Sequence, residues 1–207
     1  MSNTIRWGKI HELSYSPETN LTGTAAAPSF TNTKSVRFDG IDDFCETAST
    51  YSELDGDNKL TISFWVKSTS AVTSIPIHIG QSPNRQMRIT IFGSNRITFV
   101  KNENGDNTNL RADSGTPHDG NWNHIMICMD LTASTRGEIF FNGNNITHSR
   151  TLDTNVIQAS SGDFYINEGN KDFTGSIDEV ALWSGTDLRN DVATIYNSGV
   201  ANDLNNN

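Results

Sequence analysis

Cysteine is nearly missing from this sequence: Cys45 and Cys128 are the only two in 207 residues. Two thiols cannot build the multi-bridge framework of small disulfide-stapled domains. Two buried free thiols are the simpler expectation, because an unpaired Cys behaves as a small hydrophobe. No apolar run approaches the ~20 residues that cross a bilayer, which excludes helical membrane insertion. The opening MSNTIRWGKIHELSYS has neither the basic start nor the apolar stretch of a signal peptide. A cytoplasmic site of synthesis without classical export is therefore expected, and the sequons Asn20-Leu21-Thr22 and Asn145-Ile146-Thr147 read as chance. Positive charge is also scarce. Fifteen Lys and Arg face 24 Asp and Glu, giving a net charge of -9 and no basic stripe that could neutralise phosphate. Nucleic acid and anionic membrane are excluded as main partners.

What the chain does have is Ser, Thr, Asn, Asp and Gly, with apolar residues in short alternating bursts. Leu60, Ile62, Phe64 and Val66 alternate with Thr61, Ser63, Trp65 and Lys67, which predicts a strand with one buried face. Met87, Ile89 and Ile91, then Gly93-Ser94-Asn95, then Ile97 and Phe99 predict a hairpin. A second hairpin runs from Glu138–Phe141 through Asn142-Gly143 to an apolar return at Ile146, because both turn residues tolerate positive φ. Ser35–Phe38, Phe44–Thr47, Ile125–Asp130, Phe164–Asn167 and Ser176–Trp183 are further strands.

One helix is expected. Leu188, Val192, Ile195 and Tyr196 form a single stripe at helical spacing. Thr186 or Asn190 would cap its start, and Gly199 would follow its end. The organisation expected is one domain over 1–207: a leading strand and long loop in 1–30, a sandwich core in 31–185, a short helix in 186–199 and a polar tail in 200–207. The fold class is all-β, a two-sheet antiparallel β-sandwich with one short C-terminal helix.

The order of motifs adds a family. The segments Ser35-Val36-Arg37-Phe38-Asp39-Gly40-Ile41-Asp42-Asp43-Phe44 and Leu60–Lys67 come first. Asn121-Trp122-Asn123-His124-Ile125 follows with Asp130 and Phe140-Phe141-Asn142-Gly143, and Phe173–Trp183 closes the series. Together they resemble the signature of laminin-G-like, concanavalin-A-like jelly rolls. The resemblance implies one concave and one convex sheet, in a fold used mostly for carbohydrate and protein binding. The fold alone does not set the function.

Candidate chemistry narrows quickly. Glycoside hydrolysis needs two carboxylates held roughly 5–10 Å apart across a sugar cleft. The superfamily's enzymes carry alternating acids on one strand, and no such alternation occurs here. Asp178-Glu179 and Asp42-Asp43 are adjacent pairs whose members point to opposite strand faces. The five histidines are scattered, and His124 reads as structural. A non-enzymatic protein is expected.

For metal, Asp178 lies in phase with Val180 and Leu182. If those face the core, its carboxylate needs a cation or several N–H donors. The resemblance implies a structural Ca2+ at the sandwich edge, held by Asp178 with Asp39 or Asp43 and loop carbonyls. The alternative is that Asp178 binds turn amides. The segment FDGIDDF reads first as a strand-connecting turn, in which one acid can double as a calcium ligand. Trp65 faces either a groove or a second core layer, and the polar cluster 102–107 looks like a solvated hairpin tip.

Two functions fit these readings. One is a virion surface protein, such as a phage capsid decoration, head fibre or tail appendage, oligomeric or bound to other virion proteins and attaching to host cell-surface glycans. Its basis is the start methionine, the lack of an export signal and enzyme motif, and the acidic, Asn/Thr/Ser-rich surface. The alternative is an extracellular carbohydrate-binding or adhesion module outside any virion.

Overall fold

The computed structural model describes residues 5–7, 34–47, 54, 56–81, 85–103, 106–152, 154–157, 163–167 and 172–199. Of the leading strand and loop expected in 1–30 only residues 5–7 are described, and Asn104-Gly105 of the polar cluster 102–107 and the polar tail 200–207 lie outside the described residues. Among the described residues, fourteen strands form two sheets. In chain order they are β1 (Ile5–Trp7), β2 (Val36–Asp39), β3 (Cys45–Thr47), β4 (Lys59–Lys67), β5 (Ser74–Gln81), β6 (Arg85–Ile91) and β7 (Ile97–Glu103). There follow β8 (Asp106–Ala112), β9 (Trp122–Asp130), β10 (Gly137–Phe141), β11 (Asn144–Asn145), β12 (Ser149–Arg150), β13 (Phe164–Ile166) and β14 (Thr174–Ser184), with helix α1 at Val192–Tyr196.

One sheet has the order β1-β3-β13-β5-β6-β7-β8-β12, and the other β11-β10-β9-β4-β14-β2. Pairing is antiparallel except between β1 and β3. The expected two-sheet sandwich with one short C-terminal helix is therefore present. No helix among the described residues is long and apolar enough to cross a membrane.

The core follows from alternation. Leu60, Ile62, Phe64 and Val66 of β4 and Ile125, Ile127 and Met129 of β9 face Ile77, Ile79, Ile89, Ile91, Ile97, Phe99 and Leu110 of the other sheet. Each side chain buried this way contributes about 1.5–3 kcal/mol. Cys45 lies in this core and Cys128 on the opposite face of the six-stranded sheet, both buried and not joined by a disulfide.

Two expectations are corrected here. The alternation in β4 predicts one buried face, yet every residue from Leu60 to Val66 is buried. A second apolar layer explains this: Met126, Cys128 and Phe140 on the sheet's outer face pack against Val192 and Ile195 of α1, joined by Trp183 and Leu188. The helix is also shorter than 186–199. Its N-cap is Asp191, without a side-chain cap bond, and Asn197 takes the left-handed C-cap position, while Gly199 beyond it has the positive φ expected of it (86). The reason is local. The Thr61 hydroxyl donates to the Thr186 carbonyl (2.9 Å) and accepts the Leu188 N–H (3.0 Å), so this lead-in is tied to β4 before the helix begins. The Asn142-Gly143 turn is as expected: Phe141 pairs with Asn144 across it, and both turn residues have positive φ.

Candidate functional site

FDGIDDF carries the chain from β2, at the edge of the six-stranded sheet, to β3 in the eight-stranded one. Asp39 ends β2 opposite Thr174, the first residue of β14. Gly40 then turns at φ +80, where an added Cβ would lie 2.0 Å from Thr174 Oγ1. Only glycine meets both conditions. The Ile41 N–H donates to Asp39 Oδ1 (2.8 Å) and the Asp39 N–H to Asp43 Oδ2 (3.3 Å), so two of the acids close the turn on themselves.

Asn167 holds this turn from the far side. Its Nδ2 donates to the Asp43 carbonyl (2.8 Å), its Oδ1 accepts the Phe173 N–H, and its own N–H reaches the Pro76 carbonyl (2.9 Å). The side chain is buried and the backbone sits at φ 62. Phe173, anchored in the core, delivers Asp172 to the same place.

The result is a concentration of negative charge. Asp39, Asp42 and Asp43 present carboxylate oxygens that all lie within 4.8 Å of one another. Two oxygens on opposite sides of one Ca2+ are separated by about 5 Å. Burial, and then the charges of Asp39 and Asp42, push the Asp172 carboxyl above its usual range. Like charges this close repel one another. Among the described residues, no Lys or Arg forms an ion pair with Asp39, Asp42 or Asp43. An all-oxygen donor set with uncompensated charge fits Ca2+, with loop carbonyls completing its six to eight ligands.

Beside the acids lies a cleft of about 290 Å³, lined by Ile41, Asp42, Phe44, Glu46, Tyr165, Asn167 and Asp172. Tyr165 of β13 sits between Glu46 of β3 and His78 of β5 in the sheet register. Its ring stacks on His78 (centroids 5.9 Å apart) and is tilted against Phe44 (6.5 Å). The cleft thus combines aromatic faces, carboxylates and an apolar rim at Ile41, which is 73% exposed.

The acids expected from sequence divide. Asp39 and Asp43 come together with Asp42, whereas Asp178 lies on β14 opposite Trp65 of β4. The expected phase of Asp178 with Leu182 is corrected by a one-residue bulge between Asp178 and Ala181, where Glu179 adopts φ 46. The bulge shifts the alternation, so Asp178 shares the outer face with Trp65 while Leu182 packs inward. Its Oδ1 accepts the Glu179 N–H (2.8 Å), the turn-amide arrangement.

Trp65 belongs to the second core layer, stacked on Tyr196, and His124 is buried with Nε2 2.7 Å from Ser63 Oγ. Asp42 as a ligand, and Asp172, Tyr165 and Asn167 as site residues, are not legible in sequence. Asp172 is adjacent to the closing-strand motif, but nothing local places it beside residues about 130 positions earlier.

Residues 39–193 match a protein family described as the concanavalin A-like lectin/glucanases superfamily. Three solved structures share the fold. The CBM40 of the IT-sialidase from Ruminococcus gnavus, bound to α2,3-sialyllactose, has a TM-score of 0.59 and 15% identity over 78% of this chain and 96% of its own. A heptameric SAP-like pentraxin from Limulus polyphemus has a TM-score of 0.57 and 14% identity, covering 77% of this chain and 80% of that one. Domains LG4-5 of the mouse laminin α1 chain have a TM-score of 0.57 and 13% identity, over 72% and 40%. No curated protein matches.

Proposed function

Because this chain belongs to the concanavalin A-like lectin/glucanases superfamily, we propose that it is a non-catalytic carbohydrate-binding module, with its binding site at the edge cleft beside a Ca2+ held by Asp39, Asp42 and Asp43. The observation that carries the reading is the adjacency of the three converging carboxylates to a cleft lined by Phe44 and Tyr165. A sugar ring needs an aromatic face for its C–H groups and polar groups for its hydroxyls. The cleft supplies the first through Tyr165 and Phe44, and the second through Asp42, Glu46 and Asp172. A bound Ca2+ would lower the negative potential and add a direct ligand position for vicinal hydroxyls.

The similarities favour this reading over a virion component. The structures they bring in are a sialidase's binding module, a pentraxin and a laminin fragment. The fold of a separate binding module within a sialidase supports the non-enzymatic reading as well.

The test is a glycan array on the chain in Ca2+ and in EDTA, with Tyr165→Ala as control. Calcium-dependent binding that Tyr165→Ala removes supports the site. Binding that is indifferent to both sinks it.

A further inference from the structure

Among the described residues, α1 covers only part of the outer face of the six-stranded sheet. The second apolar layer runs from Cys128 and Trp183 to Trp65 and His124, where Tyr196, the last residue of α1, lies against both rings. The next row across the sheet lies beyond the helix. It is set by the register Arg37↔Ser176, Ser176↔Lys67 and Lys67↔Trp122. Alternation puts all four on the outer face, because Val66, Ile177 and Phe38 between them are buried in the main core.

This row has a distinct chemistry. Arg37 and Lys67 are exposed and in no ion pair among the described residues. Trp122 is 38% exposed, one of four large apolar side chains open to solvent among the described residues. Ser176 lies half-buried between the two cations. Strands are ~4.8 Å apart, so Arg37 and Lys67 stand roughly 10 Å apart with the Ser176 hydroxyl between them. Both side chains are long enough to converge above that hydroxyl, and Trp122 continues the row at one further strand spacing.

We propose that the row Arg37–Ser176–Lys67–Trp122 is a second saccharide site, selective for an acidic sugar. The anionic group of the sugar lies over Ser176 between the guanidinium and the ammonium, and the ring's C–H face stacks on Trp122. Charge complementarity selects this occupant. In a chain of net charge -9, two neighbouring unpaired cations form a local exception that favours an anion. Two cations are too few to hold a nucleic-acid backbone at physiological salt. A strip one row wide is also far smaller than the roughly 800 Å² per partner of a stable protein interface, whereas it matches one or two sugar rings. The anion can be a carboxylate or a sulfate, which the two cations bind alike. Asp178 and Asp39 occupy the flanking rows of the face, which penalises ligands carrying negative charge on every ring.

The site rests on the proposed glycan binding only for its ligand class, and it needs no metal. Isothermal titration calorimetry of the full chain in EDTA, at low salt, tests it with four probes: methyl β-D-glucuronide (one carboxylate), lactose 3′-sulfate (one sulfate), lactose and a hexaglutamate peptide. The expected result is binding of one or both acidic saccharides and none of lactose. Arg37→Gln and Lys67→Gln should each weaken it about tenfold, as loss of a charge-assisted contact does. Trp122→Ala should weaken it similarly. Circular dichroism melts of each variant separate loss of binding from loss of fold. A preference for one acidic probe identifies the carboxylate or the sulfate as the source of the anion. Absence of binding in EDTA, equal binding of lactose or the peptide, or indifference to Arg37→Gln and Lys67→Gln would overturn the proposal. Because the edge cleft is tested in Ca2+ with Tyr165→Ala, failure of either site leaves the other standing.

Discussion

Trp65 of β4 and Tyr196 at the end of α1 stack with ring centroids 5.8 Å apart and planes 23° from parallel. This contact fastens a helix of only five residues, too short to persist by itself, to the middle of the six-stranded sheet. Tyr196→Ala is therefore expected to cost about 2–3 kcal/mol, from lost burial and the lost aromatic pair. Tyr196→Phe keeps the ring and should cost under about 1 kcal/mol. Urea titrations give the two values, and in the alanine variant the emission of Trp65, 8% exposed in the native fold, should shift to the red.

His124 sits against the same two rings, fully buried, and desolvation lowers its pKa from 6.5 to about 4. The depressed value fixes the sign. Above pH 6.5 the imidazole is neutral in both states and its contribution is complete. As pH falls towards 4 the unfolded chain takes up a proton that the folded chain refuses, so stability is lost. The loss is on the order of 3 kcal/mol over this window. His124→Gln should flatten that part of the stability profile, whatever its effect at pH 7. Chemical denaturation of both proteins at pH 7 and pH 4.5 measures the difference, and parallel profiles would contradict it.

How much of this was readable from sequence depends on the range of each signal. The strands of the core are local patterns of period two, and the Asn142-Gly143 turn is a two-residue motif, so both are legible. The turn FDGIDDF is legible for the same reason. The bulge at Glu179 is not, since any residue can occupy the phase it shifts, and Asp178 consequently faces away from its expected side. The second apolar layer was only one of two readings of Trp65, because Thr61 and Ser63 beside it look like a solvent face until Leu188, Val192 and Ile195 close over it. The edge cleft depends on Asn167 bonding both Asp43 and Phe173, a long-range arrangement that leaves no periodic trace.

Gly40 tests whether the turn geometry builds the site. With φ at +80 and Thr174 Oγ1 2.0 Å from the place of a Cβ, Gly40→Ala must both adopt an unfavourable backbone and displace the Thr174 side chain. A loss of about 2–4 kcal/mol is expected. Adding Thr174→Gly removes the collision but leaves the backbone cost, so the double variant should recover part of the loss. Equal thermal melts for the single and double variants would mean that the close approach to Thr174 is not what excludes alanine.

The calcium site is best separated from the rest of the fold through Asp42. Asp39 and Asp43 accept backbone N–H groups within the turn, so replacing either damages the turn along with any metal site. Asp42 has no such bond among the described residues, yet it contributes both to the three-carboxylate cluster and to the cleft. Removing its charge also relieves Asp172, whose carboxyl is held above its usual range partly by Asp42. In EDTA, Asp42→Ala should accordingly melt at or slightly above the parent, because one repulsive partner is gone. In millimolar Ca2+ the order should reverse: the parent gains several degrees by ligand linkage, and the variant gains little. Asp178→Ala, which leaves the cluster intact, should keep the full calcium shift. A calcium shift that survives Asp42→Ala and disappears in Asp178→Ala would place the ion at the bulge of β14 instead of the turn.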